Sequence, residues 1–252
     1  MDWLKAHLRA AEDVQIRSLT NDQTILVLAG PKARTVLSDC ARGDWSVAAF
    51  PWLSVRECFI GFAPATVMGV SFSGELAYEI HVPNASLYAA YLALRKAGKQ
   101  HGLKLFGARA VESMRMEKGF LHWKADLLTE FDPYETGLER FVKLDKGDFI
   151  GRDALLKRHA AGPQRKLVTL RIDATQAPAR GGASLMVGDT VVGTVTSADW
   201  GHRTGLNLAY AFVRPEVSGV GTALHLDLYG DLVAAEIIAP SPYDPGFARM
   251  RA

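Results

Sequence analysis

Phe72-Ser73-Gly74-Glu75-Leu76-Ala77-Tyr78-Glu79-Ile80 opens the stretch around which the chain is organised, and it reads as a glycine turn running into a strand. Side chains alternate across a strand, so Tyr78 and Glu79 point to opposite faces; with Tyr78 in the core, Glu79 faces outward or into a cleft. The stretch passes through a helix carrying Arg109, Glu112, Arg115 and Glu117. It closes on Phe141-Val142-Lys143-Leu144-Asp145-Lys146-Gly147-Asp148-Phe149-Ile150-Gly151. A carboxylate in a cleft suits a heterocycle that shows adjacent N–H donors, and an arginine such as Arg109 suits a substrate carboxylate. The alternative is that Glu79 and Arg109 are surface charges, alone or paired.

Ahead of this stretch, Trp3, Leu4, His7, Leu8 and Ala11 recur at helical steps and predict a one-sided helix over 2–12. Residues 14–19 alternate as a strand. Residues 24–28 form another, ended by Gly30-Pro31, where the proline suits the first turn of a helix running to Cys40. Residues 53–60 and 65–72 read as two strands joined through 61–64, and 78–82 as a third, stopped by Pro83. Asn84 is placed to cap a helix reaching about residue 99.

Behind it, the helix over 107–118 offers Ala110, Val111 and Met114 to a core. Arg109, Glu112 and Arg115 at three-residue steps would form a charge ladder along a solvated face. A loop-rich stretch over 120–137 follows, then a short helix over 151–159. Composition changes near Gly162, which sets the expected domains at 1–162 and 163–252. From Arg165 onward short strands at 166–172, 183–187, 190–197, 206–213, 222–228 and 232–238 are separated by turns at Gly188-Asp189 and Tyr229-Gly230-Asp231. That rhythm indicates a small sandwich or barrel.

Several function classes are disfavoured. The 29 basic and 27 acidic residues nearly cancel without blocks of one sign, so neither nucleic acid nor a membrane is an expected partner. The first eleven residues lack the form of a signal peptide, and a cytoplasmic protein is expected. Cys40 and Cys58 are too few for a cysteine metal cluster, and no His-Glu-x-x-His motif is present, so no metal site is expected. No glycine-rich phosphate cradle opens a helix, and Ser73-Gly74-Glu75 lacks the hydrolase elbow pattern.

Beyond these readings, Gly74-Glu75-Leu76-Ala77-Tyr78-Glu79-Ile80-His81-Val82-Pro83, Ser113-Met114-Arg115-Met116-Glu117-Lys118-Gly119, His122-Trp123, the run from Val142 to Arg152 and Pro242-Tyr243-Asp244-Pro245 together resemble the aminomethyltransferase family. That family includes the glycine cleavage T-protein, and the likeness is strongest to the C-terminal, folate-binding half of dimethylglycine and sarcosine dehydrogenases. Ala29-Gly30-Pro31-Lys32-Ala33, Phe50-Pro51-Trp52-Leu53-Ser54 and Val195-Thr196-Ser197 extend the likeness over nearly the whole chain. The resemblance implies an α+β fold, a mixed antiparallel sheet with helices followed by a small C-terminal β-barrel or sandwich.

It also implies a cavity for tetrahydrofolate, with Glu79 on the amino-pyrimidine edge of the pterin and Arg109 near the tail or cavity wall. Phe72, Tyr78, Arg115 and Trp123 complete the expected binding set, Glu112 is a further candidate, and Asp145 and Lys146 are expected to fix their loop. Two departures from the family pattern stand out. Phe72 occupies a position where the family usually has tyrosine, which keeps a stacking face and removes a hydroxyl. The segment that holds the family's catalytic aspartate would precede Trp3-Leu4, so no catalytic residue is assigned on this chain, and no FAD is expected on it. The resemblance thus leaves two expectations. One is a one-carbon transferase completed by a partner chain carrying that segment and aspartate; the other is a non-catalytic folate-binding or structural subunit of a demethylating or amine-oxidising complex. Apolar surface left by the absent segment would be covered by the partner or by a second copy, as a homo-oligomer.

Overall fold

In the computed structural model, which describes residues 1–252, a short helix α1 (Asp2–Ala6) precedes strand β1 (Gln23–Ala29). Helix α2 (Ala33–Cys40), the hairpin β2 (Val55–Ile60) and β3 (Ala63–Met68), strand β4 (Ala77–Pro83) and helix α3 (Leu87–Gly98) follow. The four strands form one antiparallel sheet in the order β1-β4-β3-β2. Both helices cover one face of it, and the core lies between, with Tyr78, Ile80 and Val82 of β4 meeting Val36, Leu37, Ala90 and Leu94. Trp45 and Phe50 close the core from the loop before β2. Arg34 and Arg56 hold that loop through its carbonyls, including Phe50 O at 3.1 Å and Ala49 O at 2.9 Å. Residues 1–71, 76–104 and 250–252 make up this first compact unit.

The second unit comprises residues 72–75 and 105–249. Helices α4 (Ala108–Lys118) and α5 (Arg152–Ala161) lead into strands β5 (Lys166–Ile172), β6 (Ser184–Val187), β7 (Thr190–Gly201), β8 (Leu206–Val213), β9 (Ala223–Leu228) and β10 (Asp231–Ile238). They close into a six-stranded barrel in the order β10-β5-β8-β7-β6-β9, which leaves no open edge. Leu170, Leu185, Ala209, Ala211, Leu226 and Ile237 fill its interior. Strand β8 is buried on both faces, because Leu208 and Tyr210 on its outer side pack against Met116 of α4. The fold is therefore α+β, an antiparallel sheet with helices and a closed C-terminal barrel.

Three local expectations are corrected. The helix predicted over 2–12 stops at Ala6, since it buries no side chain and a short unpacked helix gains too little to propagate. Residues 14–19 form no strand; nearly all are exposed, and no neighbour supplies a ladder. Asn84 does not cap α3 through its side chain. It accepts from Thr24 Oγ1 at 2.6 Å and donates to Asn21 O at 2.8 Å, tying the end of β4 to the start of β1, while a 3-10 turn (Asn84–Ser86) leads into the helix.

Candidate functional site

On β4 the alternation places Tyr78 inward, fully buried, and Glu79 on the face away from the helices, where its side chain is 36% exposed. The register defines what surrounds it. Across the sheet, Val27, Glu79, Met68 and Val55 form one row, and Ile25, His81, Thr66 and Glu57 form the next. His81 Nε2 lies 3.3 Å from Glu79 Oε2, and Ile25, Val27, Val55 and Phe59 on this face are each about half exposed or more. Glu79 thus presents a carboxylate with spare acceptor capacity in the middle of a largely apolar surface. Tyr78 cannot reach a ligand on that face. Its hydroxyl is buried without a hydrogen-bond partner, and burial raises its pKa, partly offset by the Arg34 guanidinium.

In the second unit the chemistry gathers on α4. Of the predicted charge ladder the Glu112–Arg115 step forms, but not on a solvated face: Arg115, Glu117 and Lys118 are buried with Ser113 and Met116 and Glu112 is half-buried, whereas Arg109 and Ala110 are exposed. Arg115 Nε donates to Glu112 at 2.7 Å, its two terminal nitrogens to Asp126 and to Ser197 Oγ at 3.0 Å each, and one of them also to Phe120 O. Asp126 accepts further from His122 N at 2.8 Å, Thr196 at 2.5 Å and Ser197 at 2.6 Å. Successive strand residues normally face opposite sides, yet both hydroxyls reach one carboxylate. A β-bulge between Val195 and Ser197 makes this possible.

A second buried carboxylate, Glu117, accepts from Arg203 Nε and from the backbone of Arg203 and Thr204 at 2.6 and 2.8 Å. Arg203 also reaches Glu75 at 2.7 Å and Met114 O, and lies 3.8 Å from the centre of the Tyr243 ring. Burial works against the Arg203 charge but is outweighed by the Glu117 and Glu75 hydrogen bonds, so its pKa is raised. Gly119 ends the helix in the left-handed region at φ 79°, and a Cβ there would sit 2.4 Å from Pro240 O, so only glycine fits.

Beside this network Phe72 stacks parallel on Phe120, ring centres 6.2 Å apart, and His122 tilts toward Phe72 at 6.5 Å. Glu112 connects the two regions, with one oxygen on Arg115 and the other 3.8 Å from His122 Nε2. Trp123 is exposed next to them. The structure therefore gathers Phe72, Arg115 and His122 around Glu112, leaves Arg109 exposed and unpaired on the first turn of α4, and keeps Tyr78 and Glu79 in the first unit. All three guanidinium nitrogens of Arg115 are hydrogen-bonded to protein, which makes it a positioning residue for Glu112. Asp126 and Arg203 were not singled out from sequence, and Glu117 and Ser197 were quoted there only within motifs, without their buried roles. The available signal was the density of charges at 112, 115, 117 and 118, too many for one solvent face of a short helix.

No helix is long and apolar enough to cross a membrane. Residues 1–146 match the family model described as the GCVT N-terminal domain, and residues 165–244 match the glycine cleavage T-protein C-terminal barrel domain. Mitochondrial dimethylglycine dehydrogenase from Homo sapiens is 33% identical over 238 residues, 94% of this chain and 28% of that protein. Mitochondrial sarcosine dehydrogenase from Mus musculus is 34% identical over 246 residues, covering 94% and 27%. The chain thus spans less than a third of the length of these two relatives. The crystal structure of glycine cleavage system aminomethyltransferase T from Bartonella henselae superposes with a TM-score of 0.78 at 25% identity, covering 91% of this chain and 60% of that one. On the strength of both domain matches, the chain belongs to the glycine cleavage T-protein family of aminomethyltransferases.

Proposed function

We propose that this chain is a tetrahydrofolate-dependent one-carbon transferase module whose site is completed by a partner chain carrying the catalytic aspartate. The observation that carries the reading is Glu79, a carboxylate with spare acceptor capacity set between Val27 and Met68 on an apolar sheet face. A reduced pterin is flat and amphipathic, with adjacent N–H donors on its amino-pyrimidine edge. A carboxylate accepts such an edge through two oxygens, while the flanking aliphatic side chains take up ring surface. When bound, tetrahydrofolate supplies the nitrogen that receives the one-carbon unit.

The chain's own contribution is binding and orientation. His81 lies beside the Glu79 carboxylate and limits the directions in which it turns. In the second unit, taken by itself, Arg109 is exposed and without an ion-pair partner, Phe72 and Trp123 present aromatic surface, and Arg115 fixes Glu112. The half-exposed Ile25, Val27, Val55 and Phe59 support a covering segment on this sheet face. Supplying the unmatched segment of a full-length aminomethyltransferase as a separate polypeptide tests the proposal. Transfer of a one-carbon unit to tetrahydrofolate is expected with that segment and not without it; no transfer in either case contradicts it.

Phe72 favours a second reading, a folate-binding subunit without catalysis, because its ring stacks on Phe120 and offers no hydroxyl. Under that reading the same mixture binds tetrahydrofolate and never transfers.

A further inference from the structure

The barrel carries a separate cleft of about 810 Å³ between its β7–β8 wall and the loop over 124–131. Three cationic side chains line it, Lys124, Arg165 and Arg214, against a single carboxylate, Glu130. None of the three takes part in an ion pair, whereas Arg171 on the same barrel pairs with Glu236 at 2.7 Å and Arg203 is held between Glu117 and Glu75. Unpaired like charges facing one concavity repel each other and gain when an anion enters.

The cationic groups are also pre-positioned. Phe131 stacks on Phe212 with ring centres 3.7 Å apart, and the Arg165 guanidinium lies over the Phe131 ring at 5.9 Å, which restrains an otherwise mobile side chain. Lys124 is held in the left-handed region, φ 69°, with its N–H on Leu127 O, a conformation costly for lysine. Gly193 lets β7 and β8 approach closely in this wall, since a Cβ there would meet Phe212 O at 2.6 Å.

We propose that this cleft binds a small polyanion bearing two or more carboxylate or phosphate groups. The volume suits a small molecule, and the net charge of the chain, only +2, argues against a nucleic-acid surface. The proposal stands apart from the folate reading and needs neither one-carbon transfer nor a partner chain.

Calorimetric titration of the chain with citrate and, in a second arm, tripolyphosphate tests it. Saturable binding that weakens with added salt is expected, and the tighter of the two identifies whether carboxylate or phosphate is the natural group. Arg165→Gln combined with Arg214→Gln, and separately the exposed-site change Lys124→Gln, should each weaken binding about tenfold or more with the circular dichroism unchanged. Arg140→Gln, an exposed arginine that does not line the cleft, should leave it unaltered. Absence of saturable binding to either anion overturns the proposal. So does a Lys124→Gln chain that binds as tightly as the parent, or an Arg140→Gln chain weakened as much as the cleft variants.

Discussion

Arg115 and Asp126 lie 3.0 Å apart with 3% and 0% of their side chains exposed, and each is surrounded by further partners. A buried charge is tolerable only when its counter-charge and hydrogen bonds are complete, and removing one partner strands the other. Arg115→Leu is therefore expected to cost about 3–5 kcal/mol, read from urea unfolding. Arg115→Lys should recover only part of this, because an ammonium cannot reach Glu112, Asp126 and Ser197 in the planar arrangement of the guanidinium. A Leu variant within 1 kcal/mol of the parent, on the order of a surface substitution, would contradict this account of α4.

Glu117, fully buried, accepts from Arg203 and from two backbone N–H groups. Glu117→Gln keeps the volume but removes the charge facing Arg203, and a loss of about 1.5–3 kcal/mol is expected in the same unfolding measurement. Adding Arg203→Gln to the Glu117→Gln background should cost less than the sum of the single changes, since the two residues share one network.

Much of the fold was legible in the sequence, and the reasons are local. Strands β4, β5 and β8 carry dense β-branched or aromatic runs between turn residues, and Gly188-Asp189 and Tyr229-Gly230 mark the β6–β7 and β9–β10 hairpins. That Tyr78 and Glu79 face opposite sides followed from strand geometry alone; that Tyr78 is the inward one did not. The burial of α4 did not, because its partners come from far along the chain: Ser197 is 82 residues from Arg115, and Arg203 is 86 from Glu117. Polar burial of that kind leaves no periodic signal. Nor does a β-bulge, so β7 ran past residue 197 to Gly201 unannounced. Asn84 has the composition of a cap, and the competing hydrogen bonds to Thr24 and Asn21 were invisible without the strand pairing.

Asp244 should contribute to acid sensitivity. Burial works to raise its pKa and is outweighed by the Arg249 and Ala248 N–H groups and the Lys118 ammonium, so the carboxyl is held below its ordinary value. A depressed carboxyl contributes stability that is present above the unfolded-state pKa, about 4, and is lost as pH falls through the lower folded value. Asp244 has φ 46°, a conformation asparagine also tolerates, so Asp244→Asn isolates the charge. Melting temperatures of parent and variant should differ at neutral pH and converge in acid; a constant offset across the range would refute the linkage.

Cys40 is expected to be a poor nucleophile. Burial raises its thiol to about 11 from 9.0, with the Asp39 carboxylate adding to the effect. The thiolate fraction at neutral pH is then about 100-fold below that of an ordinary cysteine, since each unit is a factor of ten. Modification by a small disulfide reagent should be slow at pH 7 and still accelerating at pH 10. A rate that levels off near pH 9 would mean the thiol is not shielded.

Arg109, exposed and unpaired, separates binding from stability. Arg109→Ala should leave the melting temperature within about 1 °C of the parent, as expected for a surface change, while weakening tetrahydrofolate binding measured by fluorescence quenching. Unchanged affinity would place the ligand's carboxylates elsewhere.

Glu79 is the residue on which the functional reading turns, and calorimetric titration of tetrahydrofolate into the parent chain and its Glu79→Gln variant is the direct measurement. Saturable binding by the parent is expected, with affinity lowered about tenfold or more when one charged acceptor is replaced by an amide, and with the melting temperature unmoved because the side chain is partly exposed. Equal affinity in the two proteins, or no saturable heat from the parent, would contradict the placement of a reduced pterin on the outer face of β4.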